Sequence, residues 1–472
     1  MDTNKTGKQL KAILESTEPV SASVKTRLIL SMAFPAMCAQ ISVILMHYID
    51  ASMVGSLGAE DSAAIGIIAS MIWLIGGVSM TFIMGFTIQV AQCIGAGKYF
   101  KARSISGAGF FVLLCVSLLI AFISTAIAEV LPVWLGAPPE ISSKSAMYFM
   151  VSILGLPFII MNAYAAGLLQ ATGNIRTPSM LNILLCVLDV LFNFIFIYPS
   201  HGFTVAGINI TVPGFNLGVT GAALGTVTAE AVVMLMMLWT LLIKNEQLRF
   251  RREKHIIEIR CLIRAVKLAF PVSLDHLAST GAMVATVKIV APLGIVSIAS
   301  HSFAITAESF CYMIGYGTAH AASSIIGQCI GAKRKDLAWS FTLIITAVGV
   351  GLMSTAGVFM YIFAPELMGL LSPDPEIRKL GTAILRVEAF AEPLYAASIL
   401  INGCFRGAGD TFTPGLMNIG SMWLVRIPLS VILAMYLGLY GVWIAMAVEL
   451  CFRGLIFIAR LQRKKWLNAS DK

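Results

Sequence analysis

Asp189 and Asn193 stand four residues apart in the apolar run LDVLFNF, a spacing that puts both side chains on one face of a helix. Asp50, in YIDASMVGSLG, offers a second carboxylate, and Thr226, in GAALGT, a hydroxyl. Carboxylates, an amide and a hydroxyl supply oxygen acceptors but no fixed positive charge. Such a set can take up a proton or hold a desolvated monovalent cation such as Na⁺. A carboxylate in a low-dielectric setting without a basic partner holds its proton more tightly than it would in water, so it can exchange one near neutral pH.

The first half of the chain also has Glu230 in an apolar run, and no Lys or Arg inside its runs. The second half differs: Asp275, Glu308, Glu388, Glu392 and Glu449 occur with Lys288, Arg386, Arg426 and Arg453. An ionisable residue at membrane depth costs roughly 2.5–3.5 kcal/mol on insertion scales, so each needs a reason. Glu449 and Arg453 are one helical turn apart and should pair. Glu308, Glu388 and Glu392 either line a cavity or bridge to Arg386 or Lys288. Asp275 and Glu308, with Glu230 and Glu392, are secondary candidates for the ion or substrate site.

Other chemistry finds no support. His47, His201, His255, His276, His301 and His320 show no HExxH spacing, no GxxxxGK[ST] phosphate loop is present, and the nine cysteines form no CxxC pair. His301 reads as a packed helix-end residue rather than a ligand. No catalytic residue, no cofactor and no metal beyond Na⁺ at Asp50, Asp189 and Asn193 is expected, so the chain is not read as an enzyme.

The elements that position these residues follow from composition. Hydrophobic residues make up 58% of the chain and charged residues 12%, with a mean hydropathy of +0.86. A soluble domain carries about 25% charged residues. Twelve apolar stretches, near 28–52, 62–90, 104–130, 145–169, 179–199, 218–243, 264–290, 297–326, 338–363, 377–402, 414–437 and 439–461, are long enough to cross a bilayer core of ~30 Å as helices. The expectation is an all-α polytopic membrane protein. A segment 1–27 precedes a first lobe (28–243), a linker (244–263), a second lobe (264–461) and a tail (462–472). The first 27 residues lack the pattern of a cleaved signal peptide.

The net charge of +9 follows topology rather than nucleic-acid binding. Lys98, Lys101, Arg103, Arg176, Lys333, Arg334, Lys335 and Arg406 fall on alternate loops, with basic clusters at both termini and around the linker; the opposite loops hold only Lys144, Arg378 and Lys379. The positive-inside rule then puts both termini in the cytoplasm and the 198–217 loop outside. A multi-pass protein of the cell's inner (plasma) membrane is expected, a monomer contacting the lipid bilayer and small substrates.

The phrase QCIGA occurs at Gln92–Ala96 and again at Gln328–Ala332, an offset of 236. The same offset carries Phe34-Pro35 to Phe270-Pro271, Leu57-Gly58 to Leu293-Gly294, Pro157 to Pro393, and GLLQATGNIRTPSMLNI to GCFRGAGDTFTPGLMNI. From Gly218 and Gly438 the offset falls to 220, so the second half lacks part of an outer loop. Each half holds an even number of spans, so the repeat is parallel, with its axis along the membrane normal. The QCIGA phrases read as helix ends whose small residues permit close packing.

Two six-helix halves, APLGIVSIASHSFAI after the seventh span, GQCIGA ending the eighth and RGAGDTFTP after the tenth resemble the multidrug and toxic compound extrusion (MATE) family along essentially the whole chain. The resemblance implies a V-shaped pair of lobes around a central cavity. It also implies an antiporter that expels organic cations or other amphiphiles as protons or sodium ions enter. Asp50 matches the family's acidic residue of the first span, Asp189 and Asn193 a pair in the fifth, and Thr226 a threonine of the sixth. Two departures stand out. The family often has Asn before Asp in the fifth span, where this chain has the reverse order. Ser279 stands where some members carry a Glu eight residues after the seventh-span proline. A lipid-linked precursor flippase of related fold is the closest rival and would need a strongly basic cavity. The major facilitator pattern fails at CIGAGKYFKARS, which lacks its Asp. The 24 methionines suit core filling and also an adaptable cavity wall.

Overall fold

The apolar runs become helices, and the breaks between them fall at Gly and Pro. In this computed structural model, which describes residues 5–16, 20–205, 208–249 and 258–471, a short helix α1 (Lys5–Glu15) precedes α2 (Ala22–Gly55), α3 (Ala59–Gly95), α4 (Tyr99–Ala126) and the single turn α5 (Leu131–Trp134). Pro157, two residues beyond Gly155, divides the fourth span into α6 (Pro139–Leu154) and α7 (Leu156–Ala171). Then come α8 (Arg176–Ile197), strands β1 (Pro199–Val205) and β2 (Ile208–Phe215), and α9 (Gly218–Trp239), which ends in a wider π turn over Thr240–Lys244.

The second half repeats this order: α10 (Ile259–Val290), α11 (Ile295–Gly331), α12 (Lys335–Ile362), a short α13 (Ala364–Leu371), α14 (Pro375–Ala389), α15 (Glu392–Ala408), α16 (Phe412–Ser421) and α17 (Ile427–Gln462). Five helix pairs keep the repeat to the residue. α3 and α11 each run 37 residues and α4 and α12 each run 28, and α11, α12, α14, α15 and α16 each start 236 positions after α3, α4, α6, α7 and α8. Pro35 lies inside α2 and Pro271 inside the equivalent α10; Pro178 and Pro414 are both third in their helices. α17 holds the eleventh span's end and the whole twelfth, turning at Gly438, whose φ of 58° a residue with a side chain rarely adopts. Together these make twelve crossings.

Two details differ from the expectation. The 198–217 segment is not a plain loop but an antiparallel hairpin with Pro199 opposite Phe215 and Val205 opposite Ile208. Its β-branched residues, Val205, Ile208, Ile210, Thr211 and Val212, favour extended chain. The hairpin occupies the place where the second half is shorter and turns on Gly438 alone. At the start, α2 begins at Ala22, capped by Ser21, rather than at 28. The middle of the expected linker, 250–257 with His255, lies outside the described residues, as do 1–4 and 17–19 of the N-terminal segment.

Large apolar side chains cover the outside, among them Leu424 at 79% exposure and Phe122 at 74%, a surface that water does not tolerate but lipid does. Inside, the first lobe packs around Phe86, Tyr164 and Leu168, and the second around Phe341, Phe405 and Phe457. Leu10 of α1 and Ile29 and Met32 of α2 belong to the second core, so the chain's start is shared between lobes. α1 spans both: the Thr6 hydroxyl donates to Gly173 O at 2.9 Å, and Arg334 donates to Ser16 O, just beyond α1, at 2.7 Å.

Candidate functional site

Asp50 sits near the end of α2, Asp189 and Asn193 on the inward face of α8, and Thr226 on α9. Glycine brings α9 onto α8: a Cβ at Gly225 would lie 2.0 Å from Asn193 Oδ1. The Asn193 amide donates to Asp50 Oδ1 at 2.9 Å and to Asp189 Oδ2 at 3.1 Å, tying the two carboxylates together. Asp50 and Thr226 are polar neighbours of the Asp189 carboxylate, and His47 lies near it, its ring 5.7 Å from that of Trp73. Asp189 and Asn193 are fully buried, and Asp189 Oδ1 and Asn193 Oδ1 receive no hydrogen bond. Among the described residues no Lys or Arg pairs with Asp50 or Asp189. Buried acceptors are nearly always satisfied, so a cluster of oxygens short of donors suits a proton or a small cation. All four residues named from the sequence meet here. Glu230 stands apart, accepting from Asn162 at 2.7 Å between α7 and α9.

The second lobe's charges sort differently from the expectation. Glu449 pairs with Arg453 at 2.7 Å, as its spacing indicates, and also with Arg426 at 2.8 Å. Arg386 and Lys288 do not serve Glu308, Glu388 or Glu392. Arg386 donates to Tyr361 O and stacks on its ring, while Lys288 is exposed. Glu388 and Glu392 are buried with all four carboxylate oxygens unpartnered, and Glu308 is buried beside them. Arg386 and Glu388 are two residues apart and therefore point to different sides of α14. His301 packs as expected, accepting from the Trp443 indole at 3.2 Å.

Between the lobes lies a cavity of about 670 Å³, lined from both halves. Asp50, Asp189, Asn193 and Thr226 do not line it; α2, α8 and α9 enclose them within the first lobe. Asp275 does line it, accepting from Arg406 at 3.3 Å and from Asn418 at 3.0 Å. Arg406, read from the sequence as a loop cation, is in the last turn of α15 and reaches back to α10. The repeat could have marked it, because its equivalent, Gln170, lines the opposite wall.

Below the cavity the QCIGA phrases meet. A Cβ at Gly95 would lie 2.0 Å from Gln328 O, and one at Gly331 would lie 1.9 Å from Gln92 O. Only glycine permits this approach. The Gln92 amide donates to Gly407 O at 3.3 Å and the Gln328 amide to Ala171 O at 2.8 Å. Gly407 and Ala171 carry the same sequence offset as the two glutamines, so the two bonds are related by the repeat. This seam borders the cavity, whose lining includes Ala91 and Ala171, at the end where α3, α11 and α15 finish.

Twelve crossings in two repeated lobes, a cavity between them and a buried carboxylate site beside it define a membrane transporter rather than an enzyme. The chain belongs to the MatE family, whose model matches twice, over residues 35–195 and 271–432, so that the two matches start at the equivalent prolines Pro35 and Pro271. Among curated relatives, it is 23% identical over 450 residues to the probable multidrug resistance protein NorM of Thermotoga maritima, covering 93% of this chain and 92% of that one. It is 24% identical over 457 residues to the multidrug resistance protein MdtK of Yersinia pestis, covering 94% and 96%. Of solved structures, a point mutant of the Vibrio cholerae MATE transporter VcmN superposes with a TM-score of 0.85 at 20% identity, covering 93% of this chain and 97% of that one. A MATE protein crystallised with the ligand MaL6 superposes at 0.87 and 19%, covering 98% and 99%.

Proposed function

We propose that this protein is a secondary active antiporter that exports organic cations and other amphiphilic drugs from the cell in exchange for inward H⁺ or Na⁺. Multidrug resistance in the names of NorM and MdtK supports the substrate class. The observation that carries ion coupling is the Asp50–Asn193–Asp189 bridge with its two unpaired oxygens. With the cavity open to the outside, an ion entering this site neutralises the pair and favours release of substrate. With the cavity open to the cytoplasm, loss of the ion restores the charge and favours capture. An ion shifts the two states only by its difference in affinity for them, so the site must change shape as the lobes rock. The basic loops support an inner-membrane orientation with both termini cytoplasmic, which places the QCIGA seam on the cytoplasmic side. The protein works as a monomer.

The lipid-linked precursor flippase is the second reading, favoured by Arg406 and Arg453 in the cavity wall; Asp275 and Glu449 offset both. Dye efflux from proteoliposomes under an imposed pH or sodium gradient tests the first reading. Transport of a polyprenyl-pyrophosphate lipid without dye efflux would establish the second.

A further inference from the structure

The cavity walls are unequal. Ala39, Gln170 and Asn182 line it from the first lobe, and their equivalents 236 positions on are Asp275, Arg406 and Asn418. One wall thus carries an uncharged version of the other. The described lining has no charged residue from the first lobe, and its cationic side chains are Arg406 and Arg453.

Arg453 is committed, with two hydrogen bonds to Glu449 at 2.7 and 2.8 Å. Arg406 is not. A guanidinium has five N–H donors in a planar fork, and Arg406 uses one nitrogen on Asp275 Oδ2, at a long 3.3 Å. That oxygen also takes the Asn418 amide, while Asp275 Oδ1 is buried without a partner. Asp275 therefore holds Arg406 in place without saturating it. The Arg406 side chain is 26% exposed and lines the cavity, so its free donors are open to a ligand. A cavity of this volume suits a drug-sized molecule, and Met80, Ile83, Met84 and Ile88 opposite offer an apolar bed for its body.

We infer that Arg406 is a specificity-determining residue that admits amphiphiles bearing a carboxylate, which docks on its free N–H donors. Asp275 competes for the same guanidinium and sets the strength of that docking. The inference rests on the efflux reading above and names part of its substrate range.

The test uses the full chain in nanodiscs and a matched pair of dyes: rhodamine 6G, a cationic ester, and rhodamine 19, its free carboxylic acid. Fluorescence polarisation gives both Kd values without any gradient. Arg406→Gln, which copies the first-lobe residue, should weaken rhodamine 19 by about tenfold or more, as expected for loss of a charge-assisted carboxylate contact. It should not weaken rhodamine 6G, because the lost positive charge only makes the cavity friendlier to a cation. Arg406→Lys should restore part of the loss, and Asp275→Asn should tighten rhodamine 19. Equal weakening of both dyes, or an unchanged rhodamine 19, overturns the inference while rhodamine 6G binding and gradient-driven efflux keep the efflux reading intact. If the wild type neither binds nor transports either dye, the efflux reading fails and this inference with it.

Discussion

Gln92 and Gln328 hold the lobes together by the same bond made twice: each donates its side-chain amide across the seam, to Gly407 O and Ala171 O, from equivalent positions of the repeat. Leaving a buried carbonyl unpaired costs about 1–3 kcal/mol. Removing both amides should therefore open the seam more often. With spin labels at Lys98 and Lys333, the wild type should show one short distance distribution. The Gln92→Ala, Gln328→Ala double variant should add a longer one, and each single variant an intermediate share. An unchanged distribution would mean that the bonds do not hold the seam.

Gly225 tests the geometry of the carboxylate site without altering a charge. A Cβ there falls 2.0 Å from Asn193 Oδ1, so Gly225→Ala must displace the amide that bridges Asp50 and Asp189. Ion-coupled efflux should fall severely while the protein still elutes as a single folded species. Wild-type efflux in Gly225→Ala would show that the bridge is dispensable.

Glu449 separates stability from coupling. Glu449→Gln leaves Arg426 and Arg453 without their shared carboxylate, and breaking a buried pair costs about 3–5 kcal/mol. The melting temperature in detergent should drop clearly, while the ratio of ion to substrate moved per cycle stays the same. A changed ratio with an unchanged melting temperature would assign Glu449 to coupling.

Topology follows from the basic loops. Cysteine at Phe215, exposed at the end of the hairpin, should label only from outside, and cysteine at Glu246, exposed in the linker, only from the cytoplasm. Labelling of both from one side would refute the twelve crossings.

The duplication made most of the fold legible, because five helix starts, the prolines Pro35, Pro157 and Pro178 and the QCIGA ends keep one offset. The hairpin at 199–215 was hidden because nothing repeats it and its strands are too short to stand out beside membrane spans. Asp189 and Asn193 were legible as a local pair. The link to Asp50 was legible only as family resemblance, since it joins residues 143 apart through tertiary packing. Arg386 was offered as one alternative partner for the glutamates although its two-residue distance from Glu388 already placed them on different sides of a helix. Arg406 was misread because its side chain runs back from the end of α15 into the cavity, a direction the count of loop charges does not contain.

The most direct test of the central claim, that Asp50 and Asp189 couple an ion gradient to export, is rhodamine 6G transport in proteoliposomes. The wild type, Asp50→Asn, Asp189→Asn and the double variant are compared under an imposed pH gradient and, separately, a sodium gradient. One gradient should drive the wild type. Asp189→Asn should fall to the level of protein-free vesicles, and Asp50→Asn should be severely slowed, with both still inserted and monodisperse. Wild-type rates in the double variant would contradict the claim and move the ion site to Asp275 and Glu308.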